Sequence, residues 1–249
     1  MISDPFFYLA AVPAILIFGI SKGGFGGGLG IVAVPMMALV VSPADAAALL
    51  LPLLCLMDMI GIVRYRRSFD RHSLFCMLPG ALLGVAVGSL AFGYLSEQMV
   101  RLILGVVALV FGADYFLRGG GSRPAREKNA ARGAFWGAIS GVTSTIAHSG
   151  GPPANMYLLP LKLDKTFFVG TMTVLFTAVN LSKLPPYIAL GLFDGTILVT
   201  CLALAPVAAA GMIIGIRLHG VVNEILFYRI CYGLVLATGV KLTFDGLAG

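Results

Sequence analysis

The sequence predicts an all-α polytopic membrane protein with two inverted repeats, each a broken or re-entrant Gly-rich helix pair followed by three transmembrane helices. The first reason is composition: 59% of the 249 residues are hydrophobic and 11% are charged, against about 25% charged residues in soluble domains. The second is length, because residues 73–96, 133–161 and 195–216 carry no Lys, Arg, Asp or Glu. About 20 apolar residues are enough to cross a bilayer. The third is an internal repeat.

The repeat divides the chain into two similar halves. PGALLGVAVGSLAFGYLSEQ (79–98) and PVAAAGMIIGIRLHGVVNEI (206–225) share Pro, Gly, Gly, Gly and Glu at five matched positions. GFGGGLGIVAVP (24–35) and SGGPPANMYLLP (149–160) both run from a Gly-rich opening to a proline. We therefore predict three parts: a first transmembrane repeat at 1–117, a basic cytoplasmic linker at 118–131 and a second transmembrane repeat at 132–249.

Each half opens with an apolar segment that Gly-rich residues interrupt. The predicted pieces are 6–20 and 29–41 in the first half, and 133–146 and 152–162 in the second. Thirteen helical residues reach only about 20 Å, against a hydrocarbon core of about 30 Å. The short pieces therefore predict either a re-entrant hairpin or one discontinuous crossing. Three longer spans follow in each half: 45–65, 71–94 and 97–117, then 166–190, 194–218 and 222–246.

Glycines at helical spacing predict close helix packing in both halves. Gly80, Gly84 and Gly88 form a GxxxGxxxG pattern, and Gly211 and Gly215 repeat part of it. Such spacing lets two helix backbones approach one another closely inside a membrane.

The distribution of charge predicts the orientation. If the broken pairs are hairpins, the second half is inverted, and the basic residues gather on one side, as the positive-inside rule requires of the cytoplasm. The loops on the other side then hold only acidic residues. We therefore expect an inner-membrane protein with a cytoplasmic linker and both termini outside. The basic residues concerned are Arg64, Arg66, Arg67, Arg71, Arg118, Arg123, Arg126, Lys128, Arg132, Lys162, Lys165 and Arg217.

The partners that we expect are the lipid bilayer and a small anion. The net charge of +6 is explained by these loops, so we predict no nucleic-acid partner. A homodimer is left open as the assembly.

The two Gly-rich breaks are the predicted binding site. A half-helix that starts inside the membrane exposes unpaired N–H groups and the positive end of its dipole, and both attract an anion. Paired breaks in corresponding places of two halves are typical of a transporter's midplane site. A packing kink is the alternative explanation. The candidate residues at the breaks are Gly23, Gly24, Gly26, Gly27, Gly28, Ser149, Gly150, Gly151 and Asn155, with Ser144 as a further neutral donor.

Two lysines are candidates for supplying positive charge to that site. A lysine in hydrocarbon costs about 3 kcal/mol on insertion scales, so it usually faces a cavity or a partner. Lys22 lies at the first break, where the alternative is snorkelling to the outer surface. Lys183 lies deeper in its span, with Asn180 and Ser182 nearby, and the following Pro185-Pro186 pair predicts a break or kink there.

His148 and Asp58 are candidates for proton coupling. His148 stands at the second break and could also donate to an anion, while a satisfied buried histidine is the alternative. Asp58 could instead form a structural pair with a basic residue. No second His or Cys is spaced as a ligand near His148, so we predict no metal.

The sequence gives little support for an enzymatic function. GGFGGGLG follows no strand and lacks the Lys-Ser/Thr ending of a nucleotide-binding loop. His148 and Ser149 are adjacent, so on a regular helix their side chains diverge and form no dyad. We predict a protein that is not an enzyme and needs no cofactor.

The two motifs resemble those of the TauE/SafE family of sulfite and organosulfonate exporters over nearly the whole chain. GGFGGGLGIVAVP is similar to the family's first motif, and AHSGGPPANMYLLP is a looser second copy in which Gly150-Gly151-Pro152 replaces three glycines. YRRSFD after the second span is also family-like.

This resemblance implies an inner-membrane transporter of small anions such as sulfite or sulfonates. Together with a midplane site between inverted halves, it predicts a secondary transporter that exports sulfite or an organosulfonate by alternating access. An importer, or a uniporter or channel for thiosulfate, sulfate or a carboxylate, is the alternative.

Overall fold

The computed structural model describes residues 2, 4–27, 33–37, 40–91, 97–117 and 124–248. Within these ranges the regular elements are helices, and no strand occurs. In chain order they are α1 (Pro5–Phe25), α2 (Ala33–Met37), α3 (Pro43–Tyr65), α4 (Arg71–Leu90), α5 (Glu97–Leu117), α6 (Ala130–Ala147), α7 (Gly151–Leu158), a 3₁₀ turn (Leu159–Leu161), α8 (Lys165–Ala189), α9 (Gly195–Val221) and α10 (Glu224–Ala248).

Six of the helices in the described part of the chain are long and apolar enough to cross a membrane: α1, α3, α4, α8, α9 and α10. Large apolar side chains also lie exposed along these helices, as a lipid-facing surface requires. The chain is a multi-pass membrane protein.

Polar side chains fix where several helices begin. Ser42 Oγ accepts the Asp45 N–H at the start of α3, and Asn129 Oδ1 accepts the Arg132 N–H at the start of α6. Each bond satisfies one of the N–H groups that a helix start leaves unpaired. These helices accordingly begin within three residues of their predicted starts.

The first break lies later than predicted. α1 continues through Lys22 to Phe25, so the predicted end at residue 20 is wrong. The chain leaves the helix at Gly26 and Gly27, whose φ angles are 72° and 82°, a region that glycine adopts without steric cost. With 21 residues, α1 is about 31 Å long, so the length argument for a short first piece fails.

The second break closes in the same way. α6 ends at Ala147, and His148 takes the left-handed conformation with φ 49°. The Ser149 N–H donates to the Thr143 carbonyl at 3.1 Å, six residues back, as the Gly27 N–H does to Ser21 at 3.0 Å. The two broken helices thus share one type of C-terminal cap.

The segment after α7 comes back to the place where α6 starts. The Arg126 N–H donates to the Pro160 carbonyl at 2.9 Å, which ties the residues before α6 to those after α7. Lys128 and Asp70 pair at 2.7 Å nearby. Burial raises the pKa of Asp70, but the bonds from Lys128 and the Ser73 N–H outweigh it and leave the pKa below its ordinary value.

Four helix pairs build the bundle. α1 packs parallel to α9 and α4 parallel to α6, whereas α3 packs antiparallel to α8 and α5 antiparallel to α10. Exchanging the two halves turns the α1–α9 pair into the α6–α4 pair and leaves the two antiparallel pairs unchanged.

Glycines set the α4–α6 distance, as their spacing predicts. A Cβ added to Gly80 or Gly84 would lie 2.0 or 2.1 Å from the carbonyl oxygen of Ala134 or Ala138. Gly215 makes a similar contact with α1, where an added Cβ would lie 2.4 Å from the Ile20 oxygen. The helix backbones touch at these positions, and no side chain fits between them.

The predicted break at Pro185-Pro186 does not occur. α8 runs without interruption from Lys165 to Ala189 and contains both prolines. Each proline removes one backbone hydrogen bond, to the carbonyl of Leu181 or Ser182, and α8 tolerates both losses near its end.

A substitution that adds a methyl group at the α4–α6 contact tests this packing. We expect Gly84→Ala to lower the free energy of unfolding by about 1–3 kcal/mol, the usual cost of overpacking. The measurement is the melting temperature of the purified protein in detergent. Gly220→Ala is the matched control, because a Cβ there meets nothing within 4 Å. Equal melting temperatures for the two variants would contradict the close contact.

Candidate functional site

A polar cavity lies between α1, α3, α6, α7 and α8, next to both broken helix ends. Its free space is about 20 Å³, roughly the room that one water needs. The cavity is therefore nearly filled, and the polar groups that line it lie close together. The lining residues are Phe18, Lys22, Gly26, Gly27, Leu54, Ser144, His148, Gly151, Met172, Thr173, Phe176 and Asn180.

Lys22 forms one half of a buried ion pair. Its Nζ lies 2.8 Å from Asp58 Oδ1 on α3, and Asn180 Nδ2 on α8 donates to the other carboxylate oxygen at 2.6 Å. The Phe176 ring lies beside the ammonium, with its centroid 5.5 Å away. Only 6% of Lys22 is exposed, so the snorkelling alternative is wrong.

The Asp58–Asn180 contact joins equivalent positions of the two halves. Asp58 and Asn180 are 122 residues apart, and α3 and α8 occupy the same place in their repeats. Their contact therefore lies where the two predicted halves meet.

Lys183 is the centre of a second polar cluster. It is fully buried, and its Nζ lies 3.1 Å from both the carbonyl and the hydroxyl of Ser144 and 2.9 Å from His148 Nδ1. His148 Nε2 lies 3.0 Å from the Ala47 carbonyl. A carbonyl only accepts, so Nε2 carries the proton and Nδ1 accepts from the lysine. Three neutral acceptors thus surround the ammonium.

The charges of these two clusters do not balance. Asp58 neutralises Lys22, but the described residues place no carboxylate within ion-pair distance of Lys183. A buried charge without a counter-charge is costly, unless a ligand of opposite sign compensates it. When Lys183 is protonated, the site therefore carries a positive charge that no carboxylate pairs with.

Comparison with models of protein families identifies the family of this chain. The model of the sulfite exporter TauE/SafE family matches residues 11–242. The chain belongs to the TauE/SafE family. No curated protein and no solved structure gives a significant match. Membership in this family confirms the resemblance read from the motifs and indicates a membrane transporter of sulfur anions.

The second break of this TauE/SafE chain exposes fewer N–H groups than a helix start usually does. Pro152 and Pro153 occupy the first turn of α7 and have no N–H, and the Ala154 N–H is bonded to the Gly150 carbonyl at 3.2 Å. Gly150 and Gly151 are left as the donors at this end, and Gly151 lines the cavity. The first break cannot be compared, because Gly28 lies outside the described residues.

Gly23 and Gly24 are in structural contact with α9. An added Cβ would lie 2.4 Å from the Met212 oxygen at Gly23, and 2.6 Å from the Gly215 oxygen at Gly24. Neither glycine lines the cavity. Because these two glycines have no side chain, the backbones of α1 and α9 can pack closely together.

Ser149, Gly150 and Ser182 make local bonds. Ser149 Oγ donates to the Ala147 carbonyl, the Gly150 carbonyl accepts from Ser140 Oγ, and Ser182 Oγ donates to its own helix. None of the three is among the cavity-lining residues.

Asn155 is 1% exposed on α7 and is also absent from the cavity lining. Its side-chain amide has no hydrogen-bond partner among the described residues.

Two cavity residues on α8, Thr173 and Phe176, were not anticipated, although they share a helix face with the predicted Asn180 and Lys183. Thr173, Phe176, Asn180 and Lys183 follow one another at intervals of three, four and three, which places them on one face of α8. Met172, Phe18 and Leu54 complete the apolar wall. No periodicity distinguishes these three from ordinary core residues.

A charge-neutral double variant tests the Lys22–Asp58 pair. We expect Lys22→Met alone to lower the free energy of unfolding by about 3–5 kcal/mol, because it leaves a buried carboxylate uncompensated. The Lys22→Met/Asp58→Asn variant should lose less than the sum of its single variants, since no charge then remains in that pair. Thermal unfolding of the three variants measures this difference, and additive losses would refute the pairing.

Proposed function

We propose that the chain is a secondary transporter that exports a small sulfur-containing anion, sulfite or an organosulfonate, across the inner membrane. Two findings support this. The family indicates transport of sulfur anions. The decisive observation is that the buried Lys183 contacts only neutral acceptors next to a cavity at two broken helices.

The anion would bind between the two halves. A sulfur oxyanion offers several acceptor oxygens, so one of them can replace the Ser144 hydroxyl as a partner of Lys183. The N–H groups of Gly150 and Gly151 supply further donors. Lys22, on the opposite wall, would add positive charge only when Asp58 no longer neutralises it. Binding then neutralises the buried ammonium.

We propose that the halves are inverted repeats whose broken helix pairs are re-entrant. The Arg126–Pro160 bond supports a hairpin in the second half. The antiparallel contact of α3 with α8 supports inversion, because these helices hold the same place in their repeats. With the basic loops in the cytoplasm, each half crosses three times and both termini lie outside.

Alternating access between these halves would carry the anion across. Exit is favoured by the inside-negative potential, about 2.3 kcal/mol per charge per 100 mV, so export needs no coupled ion. Where coupling operates, Asp58 and His148 are the proposed proton carriers: protonated Asp58 would release Lys22 toward the anion. The small free volume of the cavity favours a gated transporter over an open channel.

Removal of the Lys183 charge tests the proposed substrate site. We expect wild-type protein in liposomes to give saturable flux of sulfite or a two-carbon sulfonate, and Lys183→Gln to reduce it at least about tenfold, since charge-assisted hydrogen bonds contribute about 1.5–3 kcal/mol. Lys241→Gln is the control, because Lys241 pairs with Asp245 on the outer helix α10.

The other outcomes are distinct. Flux of thiosulfate, sulfate or a carboxylate in place of the two substrates would correct the anion. Conductance that does not saturate would replace the transporter with a channel. Equal flux in Lys183→Gln and wild type would remove Lys183 from the site.

Reporter fusions test the orientation. We expect a C-terminal phosphatase, which is active only outside the cytoplasm, to be active, and a fluorescent protein inserted in the 118–131 linker to fold in the cytoplasm. A C-terminal fusion that behaves as cytoplasmic would overturn the proposed topology.

A further inference from the structure

We propose that Tyr65 and Tyr187 are paired gating residues, each of which holds one end of the binding cavity closed. This inference rests on the proposed alternating access. Each tyrosine hydroxyl would control one of the two openings at opposite ends of the cavity.

The two tyrosines make the same bond in the two halves. Tyr65 Oη, at the end of α3, donates to the Gly23 carbonyl at 2.8 Å, and Tyr187 Oη, near the end of α8, donates to the Thr145 carbonyl at 2.9 Å. Both bonds span 42 residues, and both tyrosines are fully buried. Each bond fastens the last turn of a broken helix to the following long helix of the same half.

These bonds satisfy carbonyl groups at the ends of the broken helices. The last four carbonyls of a helix have no partner within it, and burial without a partner is costly. Tyr65 satisfies Gly23 while His219 Nδ1 lies 3.1 Å from the Gly24 carbonyl. In the second half Tyr187 satisfies Thr145. A hydroxyl that is lost leaves a buried carbonyl unpaired, so the helix end is loosened.

The two bonds lie on opposite sides of the cavity. Tyr65 and Tyr187 each follow the Asp58–Asn180 contact by seven residues, or about 10 Å along their helices. Because α3 and α8 are antiparallel, these steps lead in opposite directions. Tyr65 lies toward the linker end, where Ser68 meets Gly170, and Tyr187 lies toward the far end, where α3 begins.

The helix ends that they fasten are walls of the cavity. The end of α1 carries Lys22, Gly26 and Gly27, and the end of α6 carries Ser144 and His148. Release of the Tyr65 bond frees the first wall at the linker end, and release of the Tyr187 bond frees the second at the far end. One opening at a time is what alternating access requires.

Sided labelling of a cavity cysteine tests this assignment. In a background without Cys55, Cys76, Cys201 and Cys231, Thr173→Cys places a single thiol in the cavity lining. A membrane-impermeant maleimide is added to inside-out vesicles, where the linker end faces the medium under the proposed topology, and to right-side-out vesicles, where the far end does. The tested changes are Tyr65→Phe and Tyr187→Phe, which remove only the hydroxyl.

We expect opposite asymmetries. Tyr65→Phe should raise the labelling rate from the linker end about 2- to 10-fold, and Tyr187→Phe should do so from the far end, as expected for the loss of one hydrogen bond. His219→Gln should act in the same direction as Tyr65→Phe and keeps the test usable if that variant misfolds. Tyr8→Phe is the control, because Tyr8 donates to the Ile2 carbonyl away from the breaks.

A merely structural role predicts a different result. It would lower the melting temperature of both variants and leave the ratio of labelling from the two sides unchanged. That outcome, or an increase from the same side in both variants, would overturn the gating assignment.

Anion flux is measured separately in the protein with its native cavity residues. Absence of sulfite and sulfonate flux there would refute the proposed substrate, while the sided labelling would still decide the role of the tyrosines.

Discussion

A helix that ends inside a membrane protein leaves carbonyl groups where no water can reach them. α1 and α6 both end in this way, next to the cavity. Their last carbonyls are met by side chains from other helices: Tyr65, His219, Tyr187 and Lys183. The need to satisfy buried backbone oxygens thus draws polar side chains to the centre of an apolar bundle.

The two buried lysines differ in electrostatic role. Asp58 neutralises Lys22, and Asn180 donates a hydrogen bond to the other oxygen of that carboxylate. Lys183 is held by Ser144 and His148, which solvate the ammonium without cancelling its charge. A pair of this kind stabilises the meeting point of the halves, whereas an unbalanced ammonium favours an anion. The proposed site therefore centres on Lys183, and Lys22 has the supporting role.

Glycine serves two purposes in the first break. Gly26 and Gly27 take left-handed angles that end α1. Gly23 and Gly24 remain helical and let α1 lie against the backbone of α9. The sequence shows all four in one run and cannot separate these purposes, because a glycine that permits a turn and a glycine that permits close packing look the same.

The sequence alone predicts only local features of the structure. The apolar runs, the repeat, the GxxxG spacing and the capping residues predict the helices because length, periodicity and caps are properties of neighbouring residues. The end of α1 was missed, since packing against α9 offsets the poor helix propensity of glycine. Only the tertiary structure decided that Lys22 has an ion-pair partner and Lys183 does not, because Asp58 contacts Lys22 from another helix and no carboxylate of the described chain lies within ion-pair distance of Lys183. Charge compensation in a membrane interior depends on distances between helices, which the order of residues does not specify.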